Sequence, residues 1–231
     1  MKELKAAIFD LGVTLIRTER SKPFQERLLE LGVSRDEDEI QKAFDFSDKY
    51  FMKNYPGELG QDPKDFYEKY LDLMLAFLRI FTISKTELFK NIFEKSPPRS
   101  KWVTYEETIP FLKEMKERGV RLGLLTNWGL DARATLDDVG LTEFFESIVV
   151  SSEIGAEKPE AKGFLESLRQ MGLNPEEAIY VGDNFYDDVV GANGVGMRAA
   201  LINRSPFDTE YDGGDYVLIH SLTELYPYFQ K

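Results

Sequence analysis

The chain has no cysteine and a single histidine, His220, in 231 residues. The first absence removes disulfides, thiolate nucleophiles and cysteine-ligated metals, and accords with a reducing compartment. The lone histidine, at the end of the last apparent strand, reads as a surface or packing residue and not as a metal ligand. Positive charge is also scarce: 29 Lys and Arg against 41 Asp and Glu leave a formal net charge of −12. A broad electrostatic grip on nucleic acid or an anionic membrane is not expected, so an anionic ligand must be held by a local site. No apolar run approaches membrane-spanning length. The opening MKELKAAIFDLG contains only a short apolar run, broken by Asp10, so neither a span nor a signal peptide is expected and a cytoplasmic protein is.

Short apolar runs are what the chain does have. KAAIF leads into Asp10, and five similar segments follow: VRLGLLTN (120–127), SIVVS (147–151), AIYVGD (178–183), MRAALIN (197–203) and DYVLIH (215–220). Continuous apolar runs of this length predict strands buried on both faces. Helical patterns lie between most of them. TIPFLKEMKERG has Pro110 in a first turn and Gly119 as C-terminal cap, PEAKGFLESLRQMG ends in Gly172, and NPEEA offers an Asn174 cap before Pro175. Strand and helix in alternation predict an α/β fold with a doubly wound, Rossmann-like parallel sheet. GANGVGM reads as a tight approach of helix to strand and not as a dinucleotide fingerprint.

Residues 17–99 read differently, with capping signals and no recurring strand pattern. Ser34 pairs with Glu37, Asp62 precedes Pro63 and Ser84 pairs with Glu87, and the helices they open are rich in aromatics. A block of this length is a helical domain inserted after the first strand, returning through the stiff SPPRS linker at 96–100. The expected division is a core of residues 1–16 and 100–231 and a helical-bundle domain of 17–99. The aromatic stripes are expected to pack as core.

In an open parallel sheet, ligands bind at the carboxyl ends of the strands. There the sequence places Asp10 after the first strand, Thr126 and Asn127 after the second, and Asp183 after the fourth, with Asp187 and Asp188 one helical turn later; Lys158 precedes another helix. Singly, such residues are ordinary caps and surface charges. Together they form the set that phosphoryl transfer through an aspartyl-phosphate needs. A carboxylate attacks phosphorus only if the repulsion between anions is offset, and Mg²⁺ does this through hard oxygen ligands such as Asp10, Asp183 and Asp188. Thr126 can hold phosphate oxygens, and Lys158 can neutralise charge on the nucleophile and the transferring group.

The segments FDLGVTL, LLTN, EKP and VGDNFYDDVVGA, in this order, resemble the four motifs of the haloacid dehalogenase-like hydrolase superfamily. The resemblance extends over the whole chain, because one branch of that superfamily carries a helical cap between its first and second motifs. It implies a phosphatase acting on small phosphorylated metabolites, with Asp10 as nucleophile and Mg²⁺ ligand and the Gly12 carbonyl as a further ligand. It also implies that Thr126 and Asn127 bind the phosphoryl group or substrate, that Lys158 stabilises charge, and that Asp183 and Asp188 bind or orient the metal.

One position departs from the pattern. Most phosphatases of the superfamily have a second Asp two residues after the nucleophile, as general acid and then base; here Gly12 stands there. Three explanations follow: another group supplies the proton, the substrate has a good leaving group, or the protein is a noncatalytic binding or regulatory one. A metal-independent 2-haloacid dehalogenase is the other alternative, but Asp183, Asp187 and Asp188 would set a costly negative charge beside an anionic haloacid. Trp128 reads as a pocket-lining or packing residue and Arg17 as a hinge or surface ion pair.

Overall fold

A computed structural model describes residues 3–55, 59, 63–86, 88, 102–205, 207 and 211–229. In chain order the first strands are β1 (Ala6–Phe9) and the short β2 (Ile16–Thr18). The helices α1 (Ser21–Glu30), α2 (Glu37–Asn54) and α3 (Pro63–Phe77) follow. The remaining strands are β3 (Trp102–Thr104), β4 (Arg121–Thr126), β5 (Ser147–Val150), β6 (Ala178–Gly182), β7 (Arg198–Ile202) and β8 (Tyr216–Ile219). The chain divides into two compact units, one of Met1–Arg17, Trp102–Arg204 and Glu210–Lys231, the other of Thr18–Lys101 and Ser205–Thr209.

The first unit is built on six parallel strands in the order β5-β4-β1-β6-β7-β8. This is the doubly wound sheet that the alternation predicts. The strands run outward from β1 to β4 and β5, then the chain crosses to β6, so strand order reverses beside β1. Side chains alternate across the sheet: Ala7 and Phe9 of β1 join Phe111, Leu112 and Met115 on one face. Ala6 and Ile8 join Phe164, Leu168 and Met171 on the other. Helices Thr108–Glu117 and Ala161–Met171 supply those layers. Gly119 and Gly172 end them at φ +80° and +61°, a region that L side chains avoid.

β2 and β3 form a separate two-stranded sheet. Neither strand is foreseen from sequence, because three residues are too few to show a period. After β8 the chain closes with a 3₁₀ helix, Leu222–Phe229.

The helical unit has its own core, formed by Phe24, Leu28, Ile40, Phe44, Phe51, Tyr70, Leu71 and Met74 among others. Its aromatic stripes are therefore packing surfaces: Phe24 meets Phe44 edge-on at 5.3 Å, and Phe51 lies 5.3 Å from Tyr70. A half-buried Arg20–Asp48 pair sits among them, with Tyr70 Oη donating to Asp48 at 2.5 Å and the Arg20 guanidinium 4.3 Å over the Phe44 ring. The cap expected at Ser34 lies two residues further on. Asp36 accepts from the Glu39 N–H at 2.9 Å and Glu39 returns the bond, because this second acid-x-x-Glu pattern abuts the first apolar residue, Ile40. Asp62, Glu87 and the SPPRS linker lie outside the described residues. No helix among the described residues is long and apolar enough to cross a membrane.

Gly191 of GANGVGM makes a close approach to a neighbouring helix and loop and not, as expected, to a strand: a Cβ there would lie 2.4 Å from the Phe164 ring of Ala161–Met171 and 3.1 Å from Pro159 Cα. Gly191→Ala is expected to lower the stability measured by urea unfolding by about 1–3 kcal/mol through overpacking. Gly194→Ala, where a Cβ meets nothing within 4 Å, is expected to stay within about 0.5 kcal/mol of the parent.

Candidate active site

β1 delivers Asp10 to the carboxyl edge of the sheet at the point where strand order reverses, and Asp10 N–H donates to Val181 O of β6 at 2.9 Å. Thr126 ends β4 and Asp183 follows β6, so three neighbouring strands bring their end residues to one edge. All three are buried, as are Lys158 and Asp188.

The centre of this arrangement is the Lys158 ammonium. It donates to Asp10 Oδ1 at 2.7 Å, to Asp188 Oδ1 at 2.6 Å and to Tyr180 Oη at 3.1 Å. An ammonium has three N–H bonds, so all are engaged. Burial alone would lower its pKa, but Asp10 and Asp188 together outweigh that and hold it well above the ordinary lysine value. For Asp10, burial is the larger effect and pushes the carboxyl up, with Asp188 adding to it and Lys158 opposing. Two carboxylates against one cation leave an excess of negative charge in a desolvated place. Asp187 shows the same excess: burial and then Asp188 push it up to about 7.

Each participant is held from behind. Asn127 accepts the Lys158 N–H at 2.8 Å and donates to Lys158 O at 3.1 Å, so its amide fixes the lysine's backbone in both directions. The substrate-binding role expected of Asn127 is thus joined by a positioning one. A single π turn, Phe185–Val189, follows β6, with Asn184 accepting from Tyr186 N–H at 3.0 Å. The turn brings Asp188 back to the strand end, where its Oδ2 accepts the Asn184 N–H at 2.9 Å. Asp183 does not join the Lys158 cluster; its Oδ1 accepts from Thr14 Oγ1 at 3.3 Å.

Three contributors were not anticipated. Tyr180 looks like an ordinary core residue of β6, yet its hydroxyl accepts from Lys158 and donates to Leu125 O at 2.7 Å. Its only signal is a polar tip inside an apolar run. Gly182 must lack a side chain, because a Cβ there would fall 2.1 Å from Asp188 Oδ2. Arg204, beyond β7, donates to Thr14 O at 2.8 and 3.1 Å, pairs with Glu107 at 2.9 Å and lies 3.7 Å over the Tyr105 ring. It pins the loop after Asp10, in which Val13 is held at φ +59°, a strained angle for a β-branched residue. Arg17 is exposed, with its guanidinium 5.9 Å from the Tyr105 ring. His220 is also exposed, with Nδ1 3.1 Å from Asn203 O.

The residues fit a hard divalent cation in kind and charge. Asp10, Asp183, Asp188 and the Gly12 carbonyl offer only oxygen donors, and the buried cluster carries more negative charge than Lys158 neutralises. In the arrangement observed, Lys158 stands between Asp10 and Asp188, and no three acidic side chains among the described residues surround one point.

The family model of haloacid dehalogenase-like hydrolases matches residues 7–202, and the chain belongs to that family. It is 30% identical over 220 residues to a glyceraldehyde 3-phosphate phosphatase of Methanopyrus kandleri, covering 88% of this chain and 86% of that protein. A phosphoserine phosphatase of Thermus thermophilus is 40% identical over 115 residues, which is 48% of this chain and 46% of that one. Among solved structures, a HAD phosphatase of Thermococcus onnurineus superimposes with a TM-score of 0.60 at 27% identity, covering 97% of each chain.

Gly182→Ala is expected to push Asp188 off Lys158 and Asn184 and to cost about 1–3 kcal/mol in urea unfolding. In an Asp188→Ala background the same change should cost less, because the carboxylate overlap at 2.1 and 2.3 Å is gone and only the residue-188 Cβ at 2.8 Å remains; equal costs in both backgrounds would refute the steric account.

Proposed function

We propose that this chain is a Mg²⁺-dependent phosphatase of small phosphorylated metabolites, working through an aspartyl-phosphate on Asp10. The observation that carries the proposal is the buried Lys158 ammonium bridging Asp10 and Asp188 at the carboxyl edge of the sheet. Relatives named for glyceraldehyde 3-phosphate and phosphoserine support the substrate class. The helical unit takes the part of the family's cap in this reading.

Asp10, the Gly12 carbonyl, Asp183 and Asp188 would hold the ion. When bound, Mg²⁺ offsets the repulsion between a carboxylate and a phosphate and neutralises charge on the transferring oxygens. The chain's own groups do the rest. An Asp10 carboxylate oxygen forms the bond to phosphorus while the bond to the leaving group breaks. Lys158 keeps its proton throughout and lies beside the carboxylate that gives up charge. The Thr126 hydroxyl, at the end of β4, holds a phosphoryl oxygen. Asn127 keeps Lys158 in place and faces the substrate with its remaining capacity. Water then attacks the aspartyl-phosphate and returns Asp10 to its starting state.

A haloacid dehalogenase would place an anionic substrate beside Asp183, Asp187 and Asp188 with Lys158 as the counter-charge. The upward push on Asp10 and Asp187 from burial and from Asp188 argues against adding another anion without a cation.

The decisive assay is phosphate release from p-nitrophenyl phosphate, whose leaving group hardly needs protonation. Turnover is expected with Mg²⁺, to vanish with chelator, and to fall at least ~10³-fold in Asp10→Asn with thermal unfolding little changed. Turnover that survives either treatment would remove Asp10 or the metal from the mechanism.

A further inference from the structure

The loop after Asp10 carries the Gly12 carbonyl and the Thr14 hydroxyl, and bonds within it set its curl. Val13 N–H donates to Ile16 O at 2.7 Å, and the N–H groups of Leu15 and Ile16 both reach Leu11 O, at 2.9 and 3.1 Å. Where the loop stands against the end of β6, which supplies Asp183, depends on bonds from other parts of the core unit. Leu15 O accepts the Tyr105 N–H at 3.2 Å and the Thr108 hydroxyl at 2.8 Å. Thr14 is buried, so its carbonyl needs a partner too, and Arg204 provides it.

The Arg204 guanidinium is itself held on three sides. Nε and Nη2 converge on Thr14 O at 3.1 and 2.8 Å, Nη1 meets Glu107 Oε1 at 2.9 Å, and the plane lies 3.7 Å over the Tyr105 ring. A planar fork bonded along its edge and stacked on its face has little freedom left. Glu107 is anchored in turn at the start of the C-terminal 3₁₀ helix, where it accepts the Leu222 N–H at 3.1 Å and the Ser221 hydroxyl. Burial pushes the Glu107 carboxyl up, but Ser221, Leu222 and Arg204 together outweigh it and hold the group below its ordinary value. With its charge met by Glu107 and its fork on a backbone carbonyl, Arg204 positions and does not catalyse.

The bonds that begin at Ser221 and Leu222 and pass through Glu107 and Arg204 end beside Asp183. Thr14 Oγ1 lies 3.3 Å from Asp183 Oδ1, near the limit of a hydrogen bond, so a shift of a few tenths of an ångström in the loop breaks it. The same shift moves Gly12, two residues earlier. Val13, between them, sits at φ +59°, and strained backbone keeps such a conformation only where its surroundings insist on it. We infer that Arg204, oriented by Glu107, is the positioning residue that sets the Gly12 carbonyl against Asp183 and so governs the affinity of the site for Mg²⁺. The inference rests on the Mg²⁺-dependent reading above and deepens it by assigning a role to a residue outside all four motif segments.

The test is Mg²⁺ binding to the whole chain by isothermal titration calorimetry. Arg204→Lys keeps the charge and loses the fork, and is expected to raise the Kd for Mg²⁺ at least about tenfold, the lower end of what partners standing behind metal ligands contribute. Its turnover of p-nitrophenyl phosphate should recover when Mg²⁺ is raised to saturation, the mark of a residue that acts through the metal site and not on the substrate. Leu168→Ala opens a cavity on the opposite face of the sheet from Leu11, Leu15 and Ile16, and serves as the control for lost stability; its Kd should stay within about twofold of the parent. A smaller rise in Arg204→Lys, an equal rise in Leu168→Ala, or turnover that stays low at saturating Mg²⁺ would overturn the inference and leave the phosphatase reading standing. Should Arg204→Lys not fold, Glu107→Gln decides in its place, with a rise of at least about threefold expected and a smaller one overturning the inference. A parent chain that binds no Mg²⁺ would overturn both.

Discussion

One desolvated ammonium organises the core unit. Lys158 reaches Asp10 beyond β1, Asp188 on the turn after β6 and Tyr180 within β6, and Tyr180 in turn bonds the β4 carbonyl of Leu125. Its contacts therefore cross-link the three central strands at their carboxyl ends. Such a cluster is weak evidence for stability, because taking three charges out of water costs about as much as their attraction returns. Its effect is one of definition. With every N–H engaged and the backbone clamped by Asn127, the cation has one place to be, and the carboxylates take their positions from it.

The sheet was legible because each buried strand is a continuous apolar run, and Asp10, Thr126 and Asp183 because an acid or hydroxyl at the end of such a run breaks its composition. Lys158 was legible through its short motif. Strand order was not, since a linear pattern carries no information on which runs pair. Tyr180 and Gly182 stayed hidden for a related reason: each is an unremarkable residue of a buried strand until Lys158 and Asp188 come into contact with it. The cap at Asp36 was displaced from Ser34 because two overlapping patterns compete and the one next to Ile40 wins. β2 and β3 are too short to announce themselves.

The opening stretch shows the limit most clearly. Sequence alone identifies Gly12 as a gap in a familiar pattern, but the side chain that borders it comes from Trp128, more than a hundred positions away. A Cβ at position 12 would come 3.3 Å from Trp128 Cζ3, so a side chain there requires the indole to give by a few tenths of an ångström. The loop between them and β2 carries its own constraint. Val13 is held in a left-handed conformation while Arg204 grips the next carbonyl and Thr14 reaches Asp183, so a strained turn is kept by bonds to distant parts of the sheet.

The central position of β1 also bears on how the protein is made. Both of its neighbours lie far downstream, β4 starting at Arg121 and β6 at Ala178. At a synthesis rate of ~5–20 residues per second, the newborn chain carries Ala6–Phe9 with an open edge for roughly ten to thirty seconds before β6 is complete. The helical unit, whose core is drawn almost entirely from contiguous chain, has the shorter loops to close and can form within that interval. A ribosome that stalls between Thr126 and Ala178 therefore holds a chain whose helical unit can be folded while β1 still has a bare edge, and that is the stage at which the nascent chain most needs a chaperone.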